Sequence, residues 1–266
     1  MTAIWKSWQY CHDSFADDLE ELQQSGDLQR ESKFPRIWQT KQKYVLKITA
    51  ASGKTAVFKK YDRIKSSWKY LFRLSPCGSE ALNYQLLANI DIALPRLLAA
   101  GDIRKNGCLK NAFIITEFAE GFRDGRDFFG TGSLAENIDL REEFITRNMH
   151  TLARLHDHNI LHRGFTPANL LYKQRKTADA DGNRLDLMWI DVASCRNISK
   201  GKLEKTLHID HEQFFRFFDF SGEELKKYLQ IYCQAAEKPL TTPEKLLERL
   251  QKAIAARRQK ETQSCR

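Results

Sequence analysis

The 266-residue sequence predicts an α+β fold, with strands gathered in the first half and helices in the second. Three observations carry that expectation. Two alternating runs, Tyr44–Thr49 and Thr55–Tyr61, flank Ala50-Ala51-Ser52-Gly53 and read as a hairpin, and the apolar run Ala112–Phe118 reads as a buried strand. Beyond residue 200 the apolar residues recur at helical spacing, over His211–Phe220, Glu223–Ala236 and Pro243 to about Arg258. No internal repeat interrupts this order.

Taken along the chain, each element has its own local reason. Phe15, Leu19 and Leu22 share one face of a helix spanning Asp13 to Leu22. After the first hairpin a helix is expected from Ser79 to Ile90, with Ser79 as its N-cap and Pro95 beyond its end. Gly121, Gly125, Gly130 and Gly132 punctuate a loop-rich stretch. Leu140 to Leu155 turns helical, and a short loop from His156 to Asn169 follows. Leu170–Lys173 and Leu185–Ile190 then form a second hairpin around Asp181-Gly182-Asn183. The last helix takes Thr242 as N-cap and Pro243 at its first position.

Composition bounds the function. Hydrophobic residues make up 42% and charged residues 29%, so a core forms and general disorder is excluded. No run of eighteen apolar residues is present, which removes a membrane-spanning helix. Met1–Tyr10 lacks the apolar centre of a secretory signal, so the chain reads as cytoplasmic. The six cysteines show no CxxC and no His pair at zinc spacing, and they read as reduced thiols.

The net charge of +9 is local. Residues 1–32 hold two basic residues against seven acidic ones, whereas residues 33–73 hold twelve against the single acid Asp62. Within that block Trp68, Tyr70 and Phe72 alternate with Lys65, Lys69 and Arg73. The block reads either as a solvated face or as a phosphate-binding surface. No nucleic-acid motif accompanies it, so the expected anion is not a nucleic acid.

The chemistry-bearing stretch is Leu155–Asp191. It contains His162-Arg163-Gly164-Phe165-Thr166-Pro167-Ala168-Asn169, then Ile190-Asp191-Val192-Ala193 beyond the second hairpin. Leu152, Leu155 and His156 lead into it. This resembles the H-R-D-x-x-x-x-N loop and D-F-G motif of protein-kinase-like phosphotransferases, which implies a two-lobed kinase-like fold. In its local detail the chain is similar to the bacterial lipopolysaccharide-core kinases, the heptose and Kdo kinase group. Lys59-Lys60-Tyr61-Asp62-Arg63, Ser79-Glu80-Ala81 and Phe113-Ile114-Ile115-Thr116-Glu117 carry that likeness, and no A-P-E segment follows Asp191.

The resemblance implies roles. Lys59, with Lys60 as its rival, holds the nucleotide phosphates and pairs with Glu80. Glu117 and Phe118 lie where adenine is bound through backbone groups. Asn169 and Asp191 hold Mg²⁺ against the phosphates of ATP, and His162 and Arg163 hold the loop. The acceptor is a sugar hydroxyl of an anionic glycolipid, the lipopolysaccharide core, at the cytoplasmic face of the inner membrane.

Two departures stand against the pattern. Only Gly53 remains of a glycine-rich phosphate loop, and Gly164 occupies the place of the catalytic Asp. Asp157 and Asp186 are the nearby carboxylates available as substitutes. An active kinase with a displaced base, a slow kinase and a nucleotide-binding pseudokinase are therefore all compatible with the sequence. A soluble kinase of the aminoglycoside or choline type is a further alternative.

Three smaller features have plainer readings. Phe214, Phe215, Phe217, Phe218 and Phe220 read as core, and Asp210-His211 as a buried polar anchor. The basic segment 243–266, with Leu246, Leu247, Leu250 and Ile254 on one face, either packs on the helical lobe or lies on an anionic membrane. The expected divisions are a helical extension over 1–34, an N-lobe over 35–118, a C-lobe over 119–240 and a basic helix over 241–266.

Overall fold

The computed structural model describes residues 8–24, 34–40, 43–50, 52–61, 70, 73–105 and 108–264. Most of the alternating aromatic and basic block, including Lys65, Trp68, Lys69 and Phe72, lies outside the described residues, as does Cys265. The chain divides into two compact units, Met1–Leu86 with Leu94–Glu120, and Leu87–Ala93 with Gly121–Arg266.

The first unit is built on a sheet. Its elements are β1 (Trp8–Cys11), α1 (Ala16–Gln24), β2 (Arg36–Gln39), β3 (Lys43–Thr49), β4 (Thr55–Tyr61), α2 (Pro76–Ala88), β5 (Leu97–Lys105) and β6 (Cys108–Glu117). The strands run in the order β1-β5-β6-β4-β3-β2, with every neighbour antiparallel. β3 alternates buried and half-buried residues, as a strand with one covered face does. Phe15, Leu19 and Leu22 join Leu46, Ile48, Phe58, Phe113 and Ile115 in one core. Burying each large apolar side chain contributes about 1.5–3 kcal/mol. The N-terminal segment is thus not helical alone: β1 pairs with β5, and α1 covers the sheet.

α2 starts at Pro76, three residues before the expected Ser79. The Ser75 hydroxyl accepts the Gly78 N–H at 3.0 Å, so Ser75 is the cap and Pro76 takes the first helical position. Ser79 sits inside the helix, its N–H donating to the Ser75 carbonyl at 2.9 Å. β5 escapes sequence reading because Leu97-Leu98-Ala99-Ala100-Gly101 lacks β-branched residues and alternation.

The second unit comprises β7 (Arg123–Asp124), α3 (Ile138–Asp157), β8 (Ile160–Leu161), β9 (Leu170–Gln174), β10 (Leu185–Trp189), β11 (Arg196–Asn197), α4 (Lys200–Thr206), α5 (His208–Phe215), α6 (Gly222–Ala235) and α7 (Pro243–Ser264). β10-β9-β7 form a small antiparallel sheet, and β8 pairs with β11. α3 buries Leu140, Phe144, Ile145, Met149 and Leu152. α7 packs on α5 and α6 through Leu246 and Leu250.

Two helix ends differ from the periodicity. α5 stops at Phe215 instead of Phe220, because Ser221 and Glu224 form a capping box that starts α6. Ser221 must be extended to do so, at φ −64° and ψ 164°. Phe214, Phe215 and Phe218 are core, whereas Phe217 is exposed. α7 runs on to Ser264, since neither Gly nor Pro occurs beyond Pro243 to stop it.

Candidate functional site

The first unit positions Lys59 and Glu80. Alternation along β4 puts Lys59 and Lys60 on opposite faces. Lys59 is only 8% exposed, whereas Lys60 Nζ lies 5.4 Å from the centre of the Tyr44 ring. Lys59 Nζ donates to Glu80 Oε1 at 2.9 Å, and Glu80 is 1% exposed. Tyr61, two residues on and therefore on the Lys59 face, donates its hydroxyl to Glu80 Oε2 at 3.2 Å. Burial, then the Glu80 charge, push the Tyr61 phenol far above its ordinary value, so it remains a donor. Each charge is buried only with a partner, the condition under which a buried ion pair is tolerated.

Glu117 ends β6, and Phe118 follows it. The Glu117 N–H donates to the Arg96 carbonyl at 2.9 Å and the Phe118 N–H to Thr55 at 3.2 Å. The Phe118 carbonyl accepts the Glu120 N–H at 2.9 Å, and Lys47 Nζ stands 4.0 Å from the centre of the Phe118 ring. Three backbone groups of this segment are thus already paired inside the unit.

In the second unit the loop after β8 hangs from a buried carboxylate. Asp210 Oδ2 accepts the His162 N–H at 2.8 Å, and Oδ1 accepts the Arg163 N–H at 2.6 Å. His156 Nε2 donates to the same Oδ2 at 3.2 Å, and its Nδ1 takes the Tyr232 hydroxyl at 2.7 Å. Burial alone would raise the Asp210 carboxyl, but the hydrogen bond from His156, the nearby His156 and His162 rings and the His162 N–H hold it below the carboxylate range. Arg163 has a left-handed backbone, φ +60°, and its N–H is one of the two that Asp210 holds. One helical turn from Asp210, Gln213 accepts the Phe165 N–H at 3.1 Å and donates to the Arg163 carbonyl at 3.3 Å.

The His162 ring is fully buried between Phe165 and Trp189, at 5.9 and 5.4 Å. Trp189 is itself held by its indole N–H, which donates to Asn148 Oδ1 at 2.9 Å. Burial lowers the His162 pKa, and the Asp210 and Asp191 charges oppose it only in part, so the ring is neutral.

Asn169 and Asp191 meet at one end of the β9–β10 hairpin. Leu170 pairs with Trp189, and the Asn169 carbonyl then accepts the Ile190 N–H at 2.9 Å. Asp191 follows at φ +54°, a left-handed conformation uncommon outside glycine. Asn169 Nδ2 donates to the Gly164 carbonyl at 2.9 Å, which makes Oδ1 the atom able to ligate. An amide oxygen beside a carboxylate is the hard donor set that Mg²⁺ takes together with substrate phosphates. Among the described residues no group of three or more His, Cys, Asp or Glu surrounds a metal position.

Neither substitute carboxylate reaches this loop. Asp157 accepts the N–H groups of Glu237 and Lys238 at 2.9 and 3.2 Å. Asp186 is bound by Arg175 at 2.6 Å and lies three pairs from Trp189, roughly 10 Å along the strand. The structure thus brings His162, Arg163, Gly164, Asn169 and Asp191 together, and Lys59 with Glu80. Asp210 is the buried polar anchor expected of it, with the loop as what it anchors, whereas sequence reading missed the parts played by Gln213, Asn148 and Tyr61. The i,i+3 spacing of Asp210 and Gln213 on one helix face was the available signal.

Residues 23–232 match the lipopolysaccharide kinase (Kdo/WaaP) family. The chain belongs to that family. A solved structure of WaaP in complex with acyl carrier protein is similar at a TM-score of 0.62 and 15% identity, covering 86% of this chain and 92% of that one. At that identity the likeness is one of fold, and it is the kinase-like fold expected from the loop and hairpin motifs. No curated protein matches the sequence. For this lipopolysaccharide kinase family member, the soluble aminoglycoside and choline kinases no longer compete as relatives.

Proposed function

We propose that the chain transfers the γ-phosphate of ATP to a sugar hydroxyl of the lipopolysaccharide core. The observation that carries this reading is the Asn169–Asp191 pair at one end of a hairpin whose neighbouring loop is clamped by Asp210. In this reading Mg²⁺ binds Asn169 Oδ1 and the Asp191 carboxylate and neutralises charge on the phosphates. Lys59, held by Glu80, neutralises phosphate charge from β4, and the Glu117–Phe118 segment meets adenine through backbone groups. His162 and Arg163 keep the loop in register. Family membership supports the substrate class.

The acceptor is anionic, in keeping with the basic block over residues 33–73. Peripheral contact with the inner membrane, from the cytoplasmic side, belongs to the same reading. Among the described residues no helix is long and apolar enough to cross a membrane. The WaaP structure, solved with acyl carrier protein, supports a search for a carrier-protein partner here as well.

Gly164 favours a second reading, a pseudokinase that binds nucleotide or a protein partner without transferring phosphate. One assay separates the two: purified protein with Mg-ATP, measured for nucleotide binding and for transfer to core oligosaccharide. The kinase reading expects both. Binding without transfer, with transfer appearing in Gly164→Asp, decides for the pseudokinase. Absence of nucleotide binding sinks both nucleotide readings.

A further inference from the structure

The place of the missing side chain takes a β-carbon without a clash, and it adjoins an unsatisfied nitrogen. A β-carbon built on Gly164 would lie 3.4 Å from His162 Nδ1, 3.6 Å from His162 Cε1 and 3.8 Å from Asn169 Nδ2, with nothing closer. Those are ordinary contact distances, and the Gly164 backbone is not left-handed, so glycine is not required here by its conformation. The His162 ring is fully buried, yet neither ring nitrogen has a hydrogen-bond partner among the described residues. A buried polar atom left unpaired costs about 1–3 kcal/mol, so such an atom calls for an explanation. The Asn169 amide nitrogen, already turned toward the Gly164 carbonyl, is the third atom near that β-carbon.

We propose that this space is a carboxylate subsite, in which a carboxylate from outside the chain replaces the side chain that residue 164 lacks and accepts the proton of the attacking hydroxyl. The proposal rests on the kinase reading above. His162 Nδ1, carrying the single proton of a neutral imidazole, donates to the carboxylate and orients it. Acetate is the side chain of aspartate as a free molecule, and formate is smaller. An acidic sugar of the acceptor carries the same group. Free carboxylate and acceptor carboxylate are two sources of one chemistry.

The step balances. The hydroxyl O–H bond breaks as its oxygen bonds to the γ-phosphorus, and the proton passes to the carboxylate. The bond from the γ-phosphorus to the bridging oxygen breaks, and its electron pair leaves with ADP. The carboxylic acid then returns its proton to solvent.

The test uses the full chain with Mg-ATP and two acceptors: native core oligosaccharide, and the same oligosaccharide with its carboxylates reduced to alcohols. Formate and acetate are titrated at constant ionic strength. With the reduced acceptor, wild-type transfer is expected to rise saturably, toward the roughly 10²–10⁴-fold that a positioned base supplies. Gly164→Asp transfers without formate and ignores it. Gly164→Ala, whose methyl takes the first part of the space, needs more formate. With the native acceptor, indifference to formate assigns the carboxylate to the acceptor, and a response assigns it to solution.

Independently of turnover, the His162 Nδ1 resonance shifts with formate in wild type and not in Gly164→Asp. A wild type that ignores both carboxylates on the reduced acceptor while Gly164→Asp is fast overturns the subsite and leaves the kinase reading standing. An unshifted His162 resonance also overturns the subsite. If neither protein transfers phosphate to either acceptor, the kinase reading itself falls, and the subsite with it.

Discussion

The Asp210 carboxylate accepts the backbone N–H of Arg163 at 2.6 Å across 47 residues of sequence. Its other oxygen takes the N–H of His162, so one buried side chain fixes the start of the loop that carries Gly164 and Asn169. Asp210→Ala strands both donors, at about 1–3 kcal/mol each. Asp210→Asn keeps one acceptor and is expected to lose less. Urea unfolding of the two variants checks the order; equal stability to wild type would show that the clamp is incidental.

Lys59 and Glu80 form a buried pair, so removing one partner should hurt more than removing both. Lys59→Met leaves the Glu80 charge unpaired and is expected to cost roughly 3–5 kcal/mol, whereas Lys59→Met with Glu80→Leu recovers much of that loss. A double-mutant cycle measures the coupling, and a coupling energy near zero contradicts the prediction. Nucleotide affinity should fall in all three variants.

Gly125 and Gly164 should respond unequally to the same change. A β-carbon at Gly125 would lie 2.3 Å from Phe144 Cζ and 2.9 Å from the Pro167 carbonyl, next to the loop. Gly125→Ala therefore overpacks the core and is expected to cost about 1–3 kcal/mol. Gly164→Ala meets only ordinary contacts and should melt close to wild type. Thermal unfolding of the two proteins side by side checks the contrast.

Acid should weaken the helical unit before it protonates most carboxylates. Burial, then the neighbouring His156 ring, hold His211 down to about 3, and burial lowers His162 as well. Both are neutral in the native chain, whereas in the unfolded chain histidine gains its proton near 6.5. A depressed folded-state pKa gives stability that is complete above the unfolded value and is lost as pH falls. Below pH 6.5 each histidine removes up to about 1.4 kcal/mol per pH unit. Calorimetry from pH 7.5 to 5 should show a falling Tm, and a Tm that is flat or rises toward acid contradicts the assignment.

Much of this protein is legible in its sequence because the signals are local. Alternation marks β3 and β4 and separates Lys59 from Lys60, but the choice between them waits for the buried pairing of Lys59 with Glu80. The seven-residue spacing from His162 to Asn169, and Asp191 after the second hairpin, announce the loop and the hairpin end. Helix boundaries were less legible, because Ser75 and Ser79 are equally good caps until Pro76 is seen to take the first helical position. Tertiary structure alone decided the rest. Only the packing of α5 beneath the loop turns Asp210 from a polar residue on an aromatic helix into the acceptor of two backbone donors. Only the fold shows Asp157 and Asp186 engaged elsewhere, and a β-carbon at Gly164 meeting only ordinary contacts beside His162. The physical reason is the same throughout. Periodicity and capping are settled within a few residues, whereas the partner of a buried polar group depends on which distant element the core brings against it.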